Sequence, residues 1–234
     1  MQNLATALPL VGDIYSTRIV RDAAEREIAL DSEVGAEYAD ALYRTALVNK
    51  PQSVLEIGMA QGLSSLAILT ALRDAQGGGH LISIDPNQRT DYHGVGIANV
   101  ARAGFSTRHT LIERPDYLAL PRLVEEGTRF QFAYIDGWHT FDYTLLDFFY
   151  TDKMLDVGGI VGFNDCGWRS VNKVLKFVTT HRKYEPMDVG LRPSYAARNP
   201  LFTLIRRLEG RSNADRYFRK VAQFEPTWSF FARF

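Results

Sequence analysis

Four apolar stretches of this sequence run into a glycine turn or into an acidic or amide side chain. Val54-Leu55-Glu56-Ile57 leads into Gly58-Met59-Ala60-Gln61-Gly62, His80 to Ile84 stops at Asp85, Gln131 to Ile135 stops at Asp136, and Gly159 to Phe163 stops at Asn164-Asp165. Acids that only keep a chain soluble scatter over helix surfaces, whereas acids repeated at strand ends gather along one edge of a sheet, where ligands bind. His139 lies three residues beyond Asp136. An imidazole, with an ordinary pKa of about 6.5, accepts a proton near neutrality. The bland reading is that these polar groups cap the helices that follow and that a lone histidine is structural. The grouping of His139 with Asp136 and Asp165 favours chemistry instead. His80, His93, His109 and His181 have no comparable neighbours and receive no role.

The apolar periodicity of the chain predicts the elements that must hold these groups. Residues 36–48 read as a helix, with Tyr38, Leu42 and Ala46 spaced by four. Residues 53–58 form a short buried strand, Leu63 to Leu72 a helix ended by glycines 77–79, and residues 80–85 a second strand. Residues 92–103 read as a helix closed by Gly104, and strands follow at 107–112, 131–136 and 159–164. A helix over 141–155 separates the last two strands, and Val171, Val174, Leu175 and Val178 mark one more. Short apolar strands alternating with helices predict a doubly wound α/β fold with a mostly parallel sheet. At the chain end Trp228, Phe230, Ala232 and Phe234 alternate with other residues, which predicts a C-terminal strand antiparallel to the rest.

The whole of 1–234 reads as one domain, with 1–50 as an N-terminal helical extension and 191–222 as an insertion or lid. That last segment carries Arg192, Arg198, Arg206, Arg207, Arg211, Arg216, Arg219 and Lys220 against Glu209 and Asp215. Such a run is a solvated face in the bland reading and, in the sharper one, a lid or dimer contact that favours an anionic substrate. With 46% hydrophobic residues the chain can bury a large core, and its formal net charge of zero asks for neither nucleic acid nor an anionic membrane as partner. The single cysteine, Cys166, excludes an intrachain disulfide and a cysteine-based zinc site. No apolar run approaches the roughly 20 residues needed to span a bilayer, and no secretion signal opens the sequence, so a cytoplasmic protein is expected. The partner expected is a small molecule, and a homo-oligomer is compatible with the sequence.

The turn after the first strand lets a ligand approach the backbone, and the next helix aims free amides at it. Dinucleotide folds use G-x-G-x-x-G here, whereas this chain has E-x-G-x-x-x-G with Ala60 at the second glycine position. Glu56 suits a cationic ligand, such as the sulfonium and amino groups of S-adenosylmethionine. Asp85 can accept from both hydroxyls of a ribose. A Gly-rich turn alone is often only a tight connection; Asp85 at the next strand end argues for a nucleotide.

VLEIGMAQG followed by HLISIDP resembles the first two motifs of class I methyltransferases. FAYIDGWHTFDY followed by GGIVGFNDC resembles bacterial small-molecule O-methyltransferases of the macrocin type and, more distantly, the catechol and caffeoyl-CoA enzymes. The resemblance spans roughly residues 36–184. It implies S-adenosylmethionine as cofactor, bound by Glu56, Gly58, Gly62 and Asp85, with Asp116 and Tyr117 on the adenine side. It also implies Mg²⁺ or another divalent cation held by Asp136, Asp165 and Asn164. His139 stands where macrocin-type enzymes carry a catalytic histidine and the catechol type a lysine, which makes it the general base; Asp136 takes that role where no metal binds. The catechol type places Asp before Asn at the later strand end, and this chain has the reverse order. Trp138, Phe141 and Trp168 are candidates for the substrate wall. The expected activity is methylation of a hydroxyl on a small biosynthetic intermediate, sugar or phenol-like. An NAD-linked oxidoreductase is the first alternative and fails at Ala60. A non-catalytic S-adenosylmethionine-binding module is the second and leaves the later acidic cluster unused.

Overall fold

The computed structural model describes residues 3–197 and 199–234; Arg198 of the arginine-rich run lies outside them. Helices α1 (Leu4–Ala7) and α2 (Pro9–Thr17) precede a hairpin of β1 (Ile19–Arg21) and β2 (Glu27–Ala29), then α3 (Ala36–Asn49). The alternating core follows: β3 (Ser53–Ile57), α4 (Leu63–Asp74), β4 (His80–Ile84), α5 (Val95–Arg102), β5 (His109–Ile112), α6 (Asp116–Glu125), β6 (Phe130–Ile135), α7 (Phe141–Met154), β7 (Leu155–Phe163) and α8 (Arg169–His181). β8 (Tyr184–Met187), α9 (Pro200–Leu208) and β9 (Arg216–Lys220) complete it. Among the described residues no helix is long and apolar enough to cross a membrane.

The main sheet has seven strands in the order β5-β4-β3-β6-β7-β9-β8. The first five are parallel, and β9 runs antiparallel to both β7 and β8. Alternation along each strand divides the core between two faces. Val54, Phe132 and Tyr134 pack with α3 and α4, while Leu55, Ile57, Ala133 and Ile135 pack with residues of α6, α7 and α8. Strand order reverses between β3 and β6, and their carboxyl ends come together there: a Cβ added at Gly58 (φ +87°) would lie 2.1 Å from the Asp136 carbonyl oxygen. Only glycine fits that junction, which is where open α/β sheets bind ligands.

The antiparallel strand exists, but at Arg216–Lys220 rather than at Trp228–Phe234. Phe230, Phe231 and Phe234 instead place their rings 5.0–5.8 Å from the ring of His181 on α8. The backbone of Ala232 donates to His181 Nε2 at 3.3 Å, so the aromatic alternation reflects a tail packed on a helix. The true strand was hidden by its charges. Lys220 is fully buried, its Nζ 3.0 Å from the Leu155 carbonyl and 3.1 Å from Asp152 Oδ1. Part of 191–222 is therefore sheet core. Three of its arginines are also engaged: Arg206 donates to Asn213, Arg219 to Asn49, and Arg211 to the Gly167 carbonyl.

Candidate active site

Two cavities open at the carboxyl edge of the sheet. The first, of about 450 Å³, is lined by Gly58 and Ala60 after β3, Asp85 to Asn87 after β4, Pro115 to Tyr117 after β5, and Asp136 to Trp138 after β6, with Tyr92 and Tyr143. The second, of about 310 Å³, is lined by Asp31 to Val34, Leu63, Ser64, His139, Asn164 and Asp165. Ala60, Tyr92, Asp136 and Gly137 belong to both walls. Both volumes suit small molecules: ligand pockets commonly span about 300–1,000 Å³.

Asp85 organises the first cavity. Its Oδ2 accepts from the backbones of Met59 (3.0 Å) and Ala60 (2.8 Å) and from Gln88 Nε2 (3.1 Å). Its Oδ1 accepts from Asn87 N at 2.8 Å, which leaves that oxygen capacity for a further donor. Glu56 does not face the cavity. It is fully buried, accepts from the Ser65 and Ser83 hydroxyls at 2.5 Å, and has its pKa raised to about 6 by burial. Gly62 also lies outside the wall, closed against Gly96 of α5. Asp116 and Tyr117 line the far end of the cavity, and Tyr117 meets Tyr143 edge-on at 6.2 Å.

In the second cavity Asp136, His139 and Asp165 each present a ligand atom within 4.8 Å of the others. His139 Nε2 is 3.2 Å from Asp165 Oδ2 and 3.7 Å from Asp136 Oδ1. Desolvation pushes the Asp136 carboxyl well above the usual carboxylate range, with a hydrogen bond from Asn164 opposing it. Asn164 is thus committed on both sides, because its Oδ1 accepts from the Asp165 backbone at 2.7 Å. Burial lowers the His139 imidazole, and the Asp165 carboxylate pulls it back up. Trp168 lies beside His139, with ring centroids 6.0 Å apart, and Trp138 stands at the mouth of the first cavity. Phe141 is partly exposed at the start of α7 and lines neither cavity. Among the described residues no arginine lines either cavity.

Three non-glycine residues here take left-handed backbone conformations: Ala60 (φ +45°), His139 (+57°) and Asp165 (+50°). Such residues cost about 1–3 kcal/mol each and cluster where a site needs them. The sequence reading missed three contributors. The spacing predicts a helix over 92–103, but α5 begins only at Val95, which frees Tyr92 to reach both cavities. Gln61, buried in the first turn, accepts from the backbones of Asp31 (3.1 Å) and Ser32 (3.2 Å) and donates to the Ala29 carbonyl (2.9 Å), fixing the wall of the second cavity. Asp215, from the arginine-rich segment, accepts from Tyr134 at 2.7 Å behind the cluster and is pushed up to about 8 by burial. A glutamine inside the glycine turn was the one legible signal of these.

Residues 55–166 match the sequence model of a family described as a methyltransferase domain. The fold superposes on the O-methyltransferase TomG from Streptomyces achromogenes, solved in complex with S-adenosylmethionine. The identity is 15%, covering 94% of this chain and 89% of that one, with a TM-score of 0.64. An O-methyltransferase from Bacillus cereus in complex with S-adenosylhomocysteine is 14% identical, covering 76% and 82%, with a TM-score of 0.63. A Podospora anserina methyltransferase bound to S-adenosylhomocysteine is 13% identical, covering 94% and 88%, also with a TM-score of 0.63. No curated protein matches the chain in sequence. The matched segment spans the central strands β3 to β7 of the doubly wound sheet that these methyltransferases share. Residues 55–166 thus carry the sequence pattern of a methyltransferase domain, on a fold shared with methyltransferases solved with S-adenosylmethionine or S-adenosylhomocysteine.

Proposed function

We propose that the protein transfers the methyl group of S-adenosylmethionine to a hydroxyl of a small-molecule acceptor. The observation that carries this reading is the shared wall: the nucleotide-sized cavity meets the carboxylate–imidazole cavity at Ala60, Tyr92, Asp136 and Gly137. Methyl transfer is an in-line displacement and needs the acceptor oxygen held against the methyl group. Two cavities joined at one wall supply that arrangement, with the donor sulfur at the junction. Asp85 Oδ1 has the free capacity for a ribose hydroxyl, and Asp116 faces the adenine end. TomG and the Bacillus cereus enzyme, which share the fold, are O-methyltransferases, and this supports oxygen as the acceptor atom. The acceptor class that suits the polar second cavity is a sugar or phenol-like intermediate.

The donor set of the second cavity fits a hard divalent cation such as Mg²⁺. Two carboxylates converge, and the half-buried Asp136 is destabilised as an anion by desolvation and by Asp215 and Asp165 unless a proton or a cation sits with it. Asp136 and Asp165 would hold the ion, with Asn164 orienting Asp136. Bound there, it would lower the pKa of the acceptor hydroxyl. His139 accepts the hydroxyl proton, and the Asp165 carboxylate stabilises the imidazolium that results. A second reading has its own support: the approach of His139 Nε2 to both carboxylates suits a third ligand equally well. Titrating Mn²⁺ into the wild type and His139→Ala separates them, because a base leaves metal affinity intact and a ligand does not.

The activity is tested by incubating the protein with methyl-labelled S-adenosylmethionine and a panel of sugar and phenolic hydroxyls, with and without chelator. Label in an O-methyl product supports the proposal, and loss of turnover in chelator with cofactor binding retained supports the cation. Binding of NAD in preference to S-adenosylhomocysteine in a thermal-shift comparison would return the chain to the oxidoreductase alternative.

A further inference from the structure

Asp147 is a charged residue in a place that calls for an apolar one. It sits in α7 next to Phe148, is 0% exposed, and neither of its oxygens meets an N–H or O–H donor. A carboxylate buried this way without a partner is strongly unfavourable, so the group is held neutral or is paired. The group it faces is another carboxyl, Asp116, and burial together with that neighbour pushes Asp147 well above the usual carboxylate range. Among the described residues neither acid has an ion-pair partner.

The two carboxyls are not equivalent. Asp116 occupies the first turn of α6, accepts from the Tyr117 backbone at 2.7 Å, and lines the first cavity. Asp116 is the member that reaches the cavity, and it stands at a helix N-terminus, where negative charge is favoured. Burial and that neighbour hold Asp147 protonated, and the acceptor its O–H faces is the Asp116 carboxyl. Asp147 lies one atomic layer behind the cavity wall: a Cβ added at Gly137, which lines that wall, would be 3.1 Å from Asp147 Oδ2. A side chain at position 137 would fill the space this carboxyl uses.

We propose that Asp147 is a positioning residue for the methyl donor: from behind Gly137 its carboxyl O–H donates to Asp116 and holds that carboxylate toward the 6-amino group of the purine. The inference rests on the donor site argued above. The chemistry selected is a hydrogen-bond donor at purine position 6, so a 6-oxo purine, which offers an acceptor there, is rejected by the same carboxylate.

The test compares binding of S-adenosylhomocysteine and of its 6-oxo analogue, S-inosylhomocysteine, by calorimetry on the full chain. The wild type should prefer the 6-amino compound by on the order of tenfold or more. Asp147→Asn, which keeps a donor of the same size, should retain that preference. Asp147→Leu should lose it, with the 6-amino compound weakened toward the level of the 6-oxo one. Loss of affinity for both compounds in equal proportion, or unchanged discrimination, overturns the proposal while the donor site stands. Failure of the wild type to bind S-adenosylhomocysteine overturns the donor site and the proposal with it. Should the leucine variant not fold, infrared difference spectra of the wild type against Asp147→Asn at neutral pH decide the matter. A protonated carboxyl band present only in the wild type, and shifting when S-adenosylhomocysteine binds, supports the proposal; an ionised Asp147 overturns it.

Discussion

His139 and Asp165 come from different strand ends, both take left-handed backbone conformations, and bring Nε2 to 3.2 Å from Oδ2. The pairing orients the imidazole in the second cavity and stabilises its protonated form. General-base catalysis contributes about 10²–10⁴-fold. His139→Ala should therefore lower kcat by that order while affinity for S-adenosylhomocysteine hardly changes. The base works when neutral, so the rate should rise as pH passes upward through its pKa. Burial sets the position of that limb and Asp165 opposes it; the limb should disappear in the variant. Wild-type kcat in His139→Ala would return the residue to a structural role.

Asp85 has two duties, and its replacement should show both. Asp85→Ala removes the expected ribose acceptor, which should weaken S-adenosylhomocysteine by about 1.5–3 kcal/mol in calorimetry. It also frees the backbone N–H groups of Met59 and Ala60, so the melting temperature should fall. Full affinity with a lowered melting temperature would leave Asp85 a role in the turn alone.

Gln61 offers a way to disturb the acceptor side alone. Its amide holds Ala29, Asp31 and Ser32 at the edge of the second cavity, and it does not line the first. Gln61→Ala should raise KM for the acceptor severalfold, a shift of about 1 kcal/mol for the lost hydrogen bonds, with little change in donor affinity. Steady-state kinetics with each substrate varied in turn would show it, and a change confined to the donor would contradict the assignment.

The central fold was readable because its signals are local. Each parallel strand from Ser53 to Phe163 is largely apolar and ends in a glycine, an acid or an amide, and the helices between them have their own apolar spacing. What escaped depends on distant partners. Lys220 lies in the core because Asp152 and the Leu155 carbonyl, far back in the chain, satisfy its ammonium, and nothing near Arg216–Lys220 announces that. Glu56 has the residue type of a ligand to a cation, yet Ser65 and Ser83 turn it inward. Asp136, His139 and Asp165 were legible as a group because strand order alone brings their loops together.

Glu56 also makes a prediction about pH. Burial raises its pKa from 4.5 to about 6, so the folded state binds the proton more tightly than the unfolded chain. Stability from this group is fully present below the unfolded value and is lost as pH rises through the folded one, a loss of about 2 kcal/mol. Glu56→Gln removes the ionisation while keeping an acceptor for the serine hydroxyls. The variant should match or exceed the wild type in urea unfolding at pH 7.5, and its advantage should shrink at pH 4.5. A variant far less stable at both pH values would show that the carboxylate itself is needed.

The structure of the complex with S-adenosylhomocysteine tests the central claim most directly. The ribose should meet Asp85, the purine should lie against Asp116 and Tyr117, and the sulfur should face the wall shared by Ala60, Tyr92, Asp136 and Gly137, open toward His139. A ligand seated elsewhere, or one whose sulfur points away from the Asp136–His139–Asp165 cavity, would contradict the account.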